Sequence, residues 1–238
     1  MDILEIMEQR HSVRKYLDKP LTAEQIETLE AEINACNSEG GLRIALVTDE
    51  PKALGGFKGK ISSFRNAVNY FAMVGPDEKL LDEKCGWYGE RLVLKAQELG
   101  LNTCWIAGSY SGGCRALAGE GERLSCIISV GFGETQGVPH KNKPEEPRFA
   151  VEGEEPEWLE RGKRAVMLAP TAINQQKFRF TIRGGSATAD AVVAKRMPIP
   201  ESARVLGAFG CGIVGSIAIT LLLRRYTPKL AGILFGGR

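Results

Sequence analysis

The chain has 238 residues, enough for one large domain or two small ones. Its 43% hydrophobic and 25% charged residues are ordinary for a globular protein. Its formal net charge of +2 is too small to indicate nucleic-acid binding, and we expect no nucleic-acid partner. The six cysteines form no CxxC pair and only two histidines are present, so no zinc pattern is found and we expect no metal. The acidic N-terminal stretch MDILEIMEQR carries no apolar signal region, and we expect a cytoplasmic protein with free, buried thiols.

In the first half of the chain, predicted helices and strands are interspersed. Apolar spacing predicts helices over residues 2–9, 22–36 and 82–99, the second with a capping box formed by Thr22 and Gln25. Apolar runs predict strands at LRIALVTD, VNYFAMV, NTCWIAG and LSCIISVGFG. These runs do not alternate with polar residues, so the mixture favours an α+β or α/β class.

The second half begins with a change in composition. Residues 133–158 are rich in proline, glycine and charge and are typical of a linker. A helix is predicted over 157–168, and the strand KFRFTI follows the polar junction APTAINQQ. We therefore predict a first half at 1–132, a linker or exposed arm at 133–156, and a second half at 157–238 whose apolar tail starts near residue 198.

The segment RHSVRKY follows the first predicted helix directly and concentrates anion-binding groups. Arginine holds phosphate with a planar fork of donors, and lysine adds a mobile charge. The alternative is a solvated helix end whose basic residues complement the helix dipole. The residues alone leave both interpretations open.

Motifs in four places resemble the FMN-dependent nitroreductase family. They are R-x-S-x-R near the N-terminus, YGERLVLKAQELGLNTCWIAG, VGFGETQGVPHKNKP, and APTAINQQ, which is similar to the family's A-P-S-x-x-N-x-Q motif. In most of the family this last motif comes early, whereas here it comes late, as in a divergent branch. The resemblance implies an α+β fold with a central, mostly antiparallel sheet flanked by helices. The late motif suggests that the second half replaces a partner subunit, giving a pseudo-dimeric monomer or a homodimer. A faint internal echo between NACNSEGG and APTAINQQ agrees with this, with coincidence as the alternative.

The resemblance also implies roles for individual residues around FMN. Arginine and hydroxyl side chains would hold the phosphate and ribityl chain, supported by the backbone of His11, and two lysines would add charge; these side chains are Arg10, Ser12, Arg14, Lys141 and Lys143. Backbone groups of Ile106, Ala107 and Gly108 would lie beside the flavin N5. In the late motif, Pro170 and Ala172 would cover the flavin ring, and Thr171, Asn174 and Gln176 would hydrogen-bond its edge. For the late motif the alternative is a capped junction, in which Asn174 and Gln175 only satisfy backbone groups.

The function implied is the reduction of a small electron-poor organic acceptor, such as a nitroaromatic or a quinone, with NADH or NADPH. No side chain is expected to act as a general acid or base, because the cofactor carries the chemistry. One alternative is a flavin- or nucleotide-binding protein without turnover. Another is a membrane-tethered interaction protein.

The tail VLGAFGCGIVGSIAITLLL, residues 205–223, is uncharged and long enough for a membrane helix. Its G-x-G-x-x-G pattern is not a dinucleotide fingerprint, because no acidic residue follows Glu201. Three interpretations stay open: an altered or frame-shifted tail, a buried core segment, and a membrane anchor.

Overall fold

The structure, a computed structural model, describes residues 2–54 and 63–192. The chain divides into a first unit, Met1–Pro139, and a second unit, His140–Arg238. The apolar tail at 205–223 and its three interpretations lie outside the described residues. Among the helices that are described, none combines the length and the apolar character needed to cross a membrane.

The first unit is built on an antiparallel sheet. Its elements in chain order are α1 (Ile3–Gln9), α2 (Ala23–Gly40), β1 (Ala45–Val47), β2 (Tyr70–Pro76), α3 (Leu81–Glu98), β3 (Asn102–Ile106), α4 (Gly112–Arg115) and β4 (Glu122–Gly131). The strands lie in the order β1-β2-β4-β3, and every neighbouring pair is antiparallel. The predicted α+β class with a mainly antiparallel sheet flanked by helices is confirmed.

Apolar groups cover both faces of this sheet. Phe71, Met73 and Ile128 pack with α2 and α3 on one face. Ala72 and Ile127 pack on the other face with the segments before β2 and after β3. Burial on both sides explains why the strands appear in the sequence as continuous apolar runs rather than as an alternating pattern.

The start of α2 agrees with its sequence signal, but its end does not. The Gln25 amide donates to Thr22 Oγ1 at 3.2 Å and the Thr22 amide donates to Gln25 Oε1 at 3.0 Å, so the predicted capping box is present. The helix continues beyond Cys36 to Gly40 and ends where Gly41 adopts a left-handed conformation, φ 62°. The helix was predicted to end at Cys36, but Asn37 lies within it and exchanges hydrogen bonds with the backbone of Ile44.

The second unit contains a smaller mixed sheet. Its elements are β5 (Phe149–Glu152), α5 (Leu159–Leu168), a 3-10 turn (Ala172–Asn174), β6 (Phe178–Arg183) and β7 (Ser186–Ala191). Strand β6 lies in the middle, parallel to β5 and antiparallel to β7. The ring of Phe149 stacks on Phe180 with centroids 5.9 Å apart, and Phe178 packs edge-on against both.

Strand β5 lies inside the segment 133–156 that the sequence predicts as a linker or exposed arm. It is a short strand, and prolines and glutamates surround it in the sequence, so its apolar residues do not stand out. Pairing with β6 and the ring contacts of Phe149 are what order it. The predicted domain boundaries and the pseudo-dimer stay predictions.

The close approach of α3 to β3 depends on Gly89. A Cβ atom at this position would lie 2.4 Å from Trp105 Cη2, so we expect Gly89→Ala to lower the free energy of unfolding by about 1–3 kcal/mol through overpacking. Gly112→Ala is the matched control, since a Cβ there meets no atom of the described residues within 4 Å. Urea unfolding of both variants measures the difference. Equal stability of the two variants would show that α3 and β3 are not packed this closely.

Candidate functional site

The RHSVRKY segment is not a solvated helix end. Helix α1 ends at Gln9, and Arg10 is already extended, with φ −74° and ψ 114°. Ser12 forms a parallel bridge with Thr103, and the Val13 amide donates to the Thr103 carbonyl at 3.0 Å. The segment therefore adds an extended stretch of backbone to the outer edge of β3.

An extended backbone sends alternate side chains to opposite sides. Val13 is buried in the core, whereas Ser12 and Arg14 are exposed. The R-x-S-x-R spacing thus places its arginines and its serine on the same side of the segment. Burial raises the pKa of the Cys104 thiol, while Arg14, Arg10 and a hydrogen bond with Ser12 act in the opposite direction. The three side chains therefore share one side of a segment that borders β3.

Arg10 differs from Ser12 and Arg14 because its side chain is buried, with an exposed fraction of 4%. Its Nε lies 3.9 Å from Glu90 Oε1 on α3, too far for a hydrogen bond but close enough for an ion pair. Glu90 Oε2 accepts a hydrogen bond from Trp105 Nε1 at 3.1 Å. Within the described residues, the guanidinium of Arg10 forms this ion pair and no hydrogen bond.

The buried hydroxyl groups of Tyr16 and Ser129 hold this segment against the sheet. Tyr16 Oη donates to the Val13 carbonyl at 2.8 Å and lies 2.7 Å from Ser129 Oγ on β4. Burial raises the pKa of Tyr16, so the phenol remains a neutral donor at physiological pH. The side chains of Arg10, Ser12 and Arg14 therefore extend from a backbone that is hydrogen-bonded to β3 and supported by β4.

The predicted backbone residues at 106–108 follow directly from the same strand. Ile106 is the last residue of β3 and is buried, whereas Ala107 and Gly108 are exposed. A Cβ atom at Gly108 would meet no described protein atom within 4 Å. Packing within the described residues does not require glycine here, and the backbone is accessible beside the end of β3.

The junction APTAINQQ in the second unit has an unusual backbone. Ile173, Asn174 and Gln176 all have positive φ, at 46°, 53° and 46°. A left-handed conformation costs an ordinary residue about 1–2 kcal/mol, and β-branched isoleucine tolerates it poorly. The Ile173 side chain is 85% exposed, so apolar packing among the described residues does not compensate for this strain.

Gln176 fixes this junction against the segment that contains the predicted lysines. Its Oε1 accepts from the Lys143 amide at 2.7 Å, and its Nε2 donates to the Met167 carbonyl and to Asn142 Oδ1, each at 3.2 Å. The His140 Nε2 lies 2.8 Å from the same Met167 carbonyl, which can only accept, so this nitrogen carries the proton. The Gln176 side chain is thereby fully engaged in joining 140–143 to the junction.

Other predicted residues in this unit take part in the same network. Asn174 Nδ2 donates to the Lys141 carbonyl at 2.9 Å, and Thr171 Oγ1 accepts from the Gln176 amide at 3.0 Å. Pro170 is half-buried and Ala172 is exposed. The backbone of the lysine segment is therefore anchored, although the side chains of Lys141 and Lys143 remain exposed.

The structure thus brings the predicted residues together as two groups, one in each unit. The first-unit group is Arg10, His11, Ser12, Arg14, Ile106, Ala107 and Gly108; the second-unit group is Lys141, Lys143, Pro170, Thr171, Ala172, Asn174 and Gln176. Sequence reasoning missed Glu90, because it stands beside Arg91 on what looks like the polar face of α3. It also missed His140, whose ring hydrogen-bonds the carbonyl of Met167, 27 residues further along the chain.

The antiparallel sheet with its flanking helices is the fold of nitroreductases. A putative nitroreductase from Thermotoga maritima has a TM-score of 0.60 and 20% sequence identity, covering 94% of this chain and 85% of that chain. A putative nitroreductase from Desulfovibrio desulfuricans in complex with FMN has a TM-score of 0.50 and 17% identity, covering 61% of this chain and 94% of that chain. At such identities these likenesses concern the fold.

Sequence comparison identifies the family. The model described as "Putative TM nitroreductase" matches residues 2–203. Because the match spans most of the chain, the protein belongs to this nitroreductase family, and the predicted resemblance is confirmed. No curated protein matches the sequence.

The hydrogen bonds of Gln176 predict that its replacement destabilises residues 140–143, whereas replacement of the neighbouring Gln175 does not. Gln176→Leu removes the acceptor of the Lys143 amide and the donor to Met167, so we expect the junction to lose about 1–3 kcal/mol of local stability. Amide hydrogen exchange of residues 140–143 should become faster. Gln175→Leu is the control, since within the described part of the chain the Gln175 side chain forms no hydrogen bond. Similar exchange rates in both variants would contradict the role assigned to Gln176.

Proposed function

We propose that this protein is an FMN-dependent oxidoreductase that reduces small electron-poor organic acceptors with NAD(P)H. The observation that carries the proposal is the placement of Arg10, Ser12 and Arg14 on one side of an extended segment that pairs with Thr103 at the edge of β3. Membership of a nitroreductase family gives this anion-binding group its context.

The donor set suits a phosphate monoester. At neutral pH such a group is nearly a dianion with several acceptor oxygens, and guanidinium groups bind it through paired, charge-assisted hydrogen bonds. Arg10 is buried and has donors that no described residue uses, while Arg14 and Ser12 are exposed on the same side of the segment. An anion that accepts hydrogen bonds from these donors and pairs with the guanidinium charge is bound favourably.

The rest of the first-unit group suits a planar ring next to this phosphate. Ala107 and Gly108 expose their backbone at the end of β3, and glycine lets a ligand approach the backbone closely. When bound, FMN supplies the hydride chemistry. The residues of this chain bind the cofactor and fix its orientation.

For the second unit, we propose that the late motif contacts the flavin as the family resemblance implies. Thr171 Oγ1 is the acceptor in its bond with the Gln176 amide, so its own hydroxyl hydrogen is available to a ligand. Pro170 and Ala172 present small apolar surfaces beside it. The positive charges of Lys141 and Lys143 add to phosphate attraction from side chains whose backbone is already ordered.

The direct test is the absorbance spectrum of the purified protein, before and after incubation with FMN, followed by NADPH and NADH oxidation with and without a nitroaromatic or quinone acceptor. We expect a flavin spectrum and acceptor-dependent oxidation of the nicotinamide. A flavin spectrum without turnover would identify a binding protein and contradict the enzymatic proposal. A protein that cannot be loaded with FMN contradicts both.

Arg10→Ala is the variant that tests the phosphate role. We expect FMN affinity to fall about ten- to a hundredfold, because a charge-assisted hydrogen bond to phosphate is worth about 1.5–3 kcal/mol. Lys143→Ala should cost several-fold at most, since its exposed ammonium is solvated and mobile. Fluorescence titration of apoprotein with FMN measures both effects, which should shrink at high salt.

Riboflavin, which lacks the phosphate, is the control ligand for this titration. Arg10→Ala should leave riboflavin affinity nearly unchanged. Equal weakening of FMN and riboflavin would show that Arg10 supports the fold rather than the phosphate. Because the Arg10 side chain is buried beside Glu90, the double variant Arg10→Ala with Glu90→Gln repeats the test without an unpaired buried carboxylate.

A further inference from the structure

Glu90 is a buried carboxylate in a place where the proposed function would not put one. Its side chain is 8% exposed and lies 3.9 Å from the Arg10 guanidinium. A carboxylate beside a phosphate-binding arginine competes with the phosphate for that arginine and repels it. The first-unit site therefore needs a way to remove the charge of Glu90 when a phosphate is bound.

The surroundings of Glu90 allow its neutral form. Trp105 Nε1 donates to Oε2 at 3.1 Å, and a carboxylic acid still accepts this bond through its carbonyl oxygen. Burial raises the pKa of Glu90, whereas Arg10 and the Trp105 bond act in the opposite direction. When Arg10 turns its charge to a phosphate, the main group that stabilises the carboxylate is lost.

We propose that Glu90 is a positioning residue of the cofactor site: it holds Arg10 as a counter-ion in the free protein and takes up a proton from solvent when the FMN phosphate engages Arg10. This inference rests on the proposed function. The step forms one O–H bond on the Glu90 carboxylate and requires no other reactant. Arg10 stays paired with one anion throughout, first with Glu90 and then with the phosphate.

Arg10 is the charged group that opposes the effect of burial on the pKa of Glu90. On α3 itself, Arg91 is already paired with Glu32 at 2.6 Å and Glu39 at 2.7 Å. On β3, Trp105 donates a hydrogen bond that lowers the pKa of Glu90. The titratable group on β3 is the Cys104 thiol, whose pKa burial raises, while Arg14 and Arg10 lower it. On α1, Glu5 is exposed, and it caps the helix through the Asp2 amide, while Glu8 is half-buried. Arg10 is therefore the cation whose position decides the charge of Glu90.

The proposal fixes the sign of a pH effect. If phosphate binding favours protonated Glu90, FMN binds with net proton uptake and its affinity falls as pH rises through the pKa of Glu90 in the complex. The phosphate itself does not mask this effect at pH 8, because its second pKa is about 6 and it is a dianion both free and bound. Riboflavin carries no phosphate and should bind without proton uptake.

The experiment is isothermal titration calorimetry of the full-length apoprotein with FMN at pH 7 and at pH 8, each in two buffers that differ in ionisation enthalpy. The difference in observed heat gives the protons exchanged. We expect the wild-type protein to take up a fraction of a proton with FMN in at least one of the two pH conditions and none with riboflavin. This comparison needs no variant and so does not depend on a variant that folds.

Glu90→Gln is the matched variant, since its amide still accepts from Trp105 but carries no charge. We expect it to bind FMN about tenfold more tightly at pH 8 with no proton uptake, and to bind riboflavin as the wild type does. Proton uptake that persists in Glu90→Gln, or wild-type FMN binding without uptake, overturns the inference and leaves FMN binding itself standing. Absence of any FMN binding overturns both the inference and the proposed function.

Discussion

The ion pair between Arg10 and Glu90 is the interaction on which the first-unit site depends. Arg10 is placed by the end of α1, and Glu90 is placed by α3, so the pair joins elements that are far apart in sequence. A guanidinium that is only 4% exposed is largely removed from water, which costs desolvation free energy. Its retention is understandable if the arginine is used to bind an anion.

The rest of the first unit determines where that arginine lies. Backbone pairing of Ser12 and Val13 with Thr103 keeps the segment extended. Because alternate side chains of an extended segment point to the same side, Arg10, Ser12 and Arg14 lie on one side of it. Gly89 lets Trp105 pack against α3, which is what brings the indole N–H to Glu90. Core packing and site chemistry therefore depend on the same contact between α3 and β3.

Much of this arrangement could be predicted from the sequence, but the partners of each residue could not. Apolar runs and the Thr22 capping box predicted the elements and the α+β class, and R-x-S-x-R drew attention to the segment that lies along β3. Glu90 was missed because helical spacing assigns it to a polar face, and only the tertiary approach of Trp105 buries it. Gln176 was expected to face a flavin, whereas its side chain also binds the 140–143 backbone, an interaction across more than thirty residues that no local pattern encodes. Strand β5 was not predicted, because the prolines and glutamates around it in the sequence are typical of a linker.

Phosphorus-31 NMR of FMN bound to the protein, recorded as a function of pH, tests the central claim most directly. A phosphate held by Arg10 and Arg14 should remain a dianion well below its ordinary second pKa of about 6, because positive charge stabilises the ionised form. The bound resonance should then stay constant as the pH is lowered through that value, while free FMN titrates normally. A bound phosphate that titrates like free FMN would contradict the account, since it would show that the phosphate remains in solvent and away from the arginines.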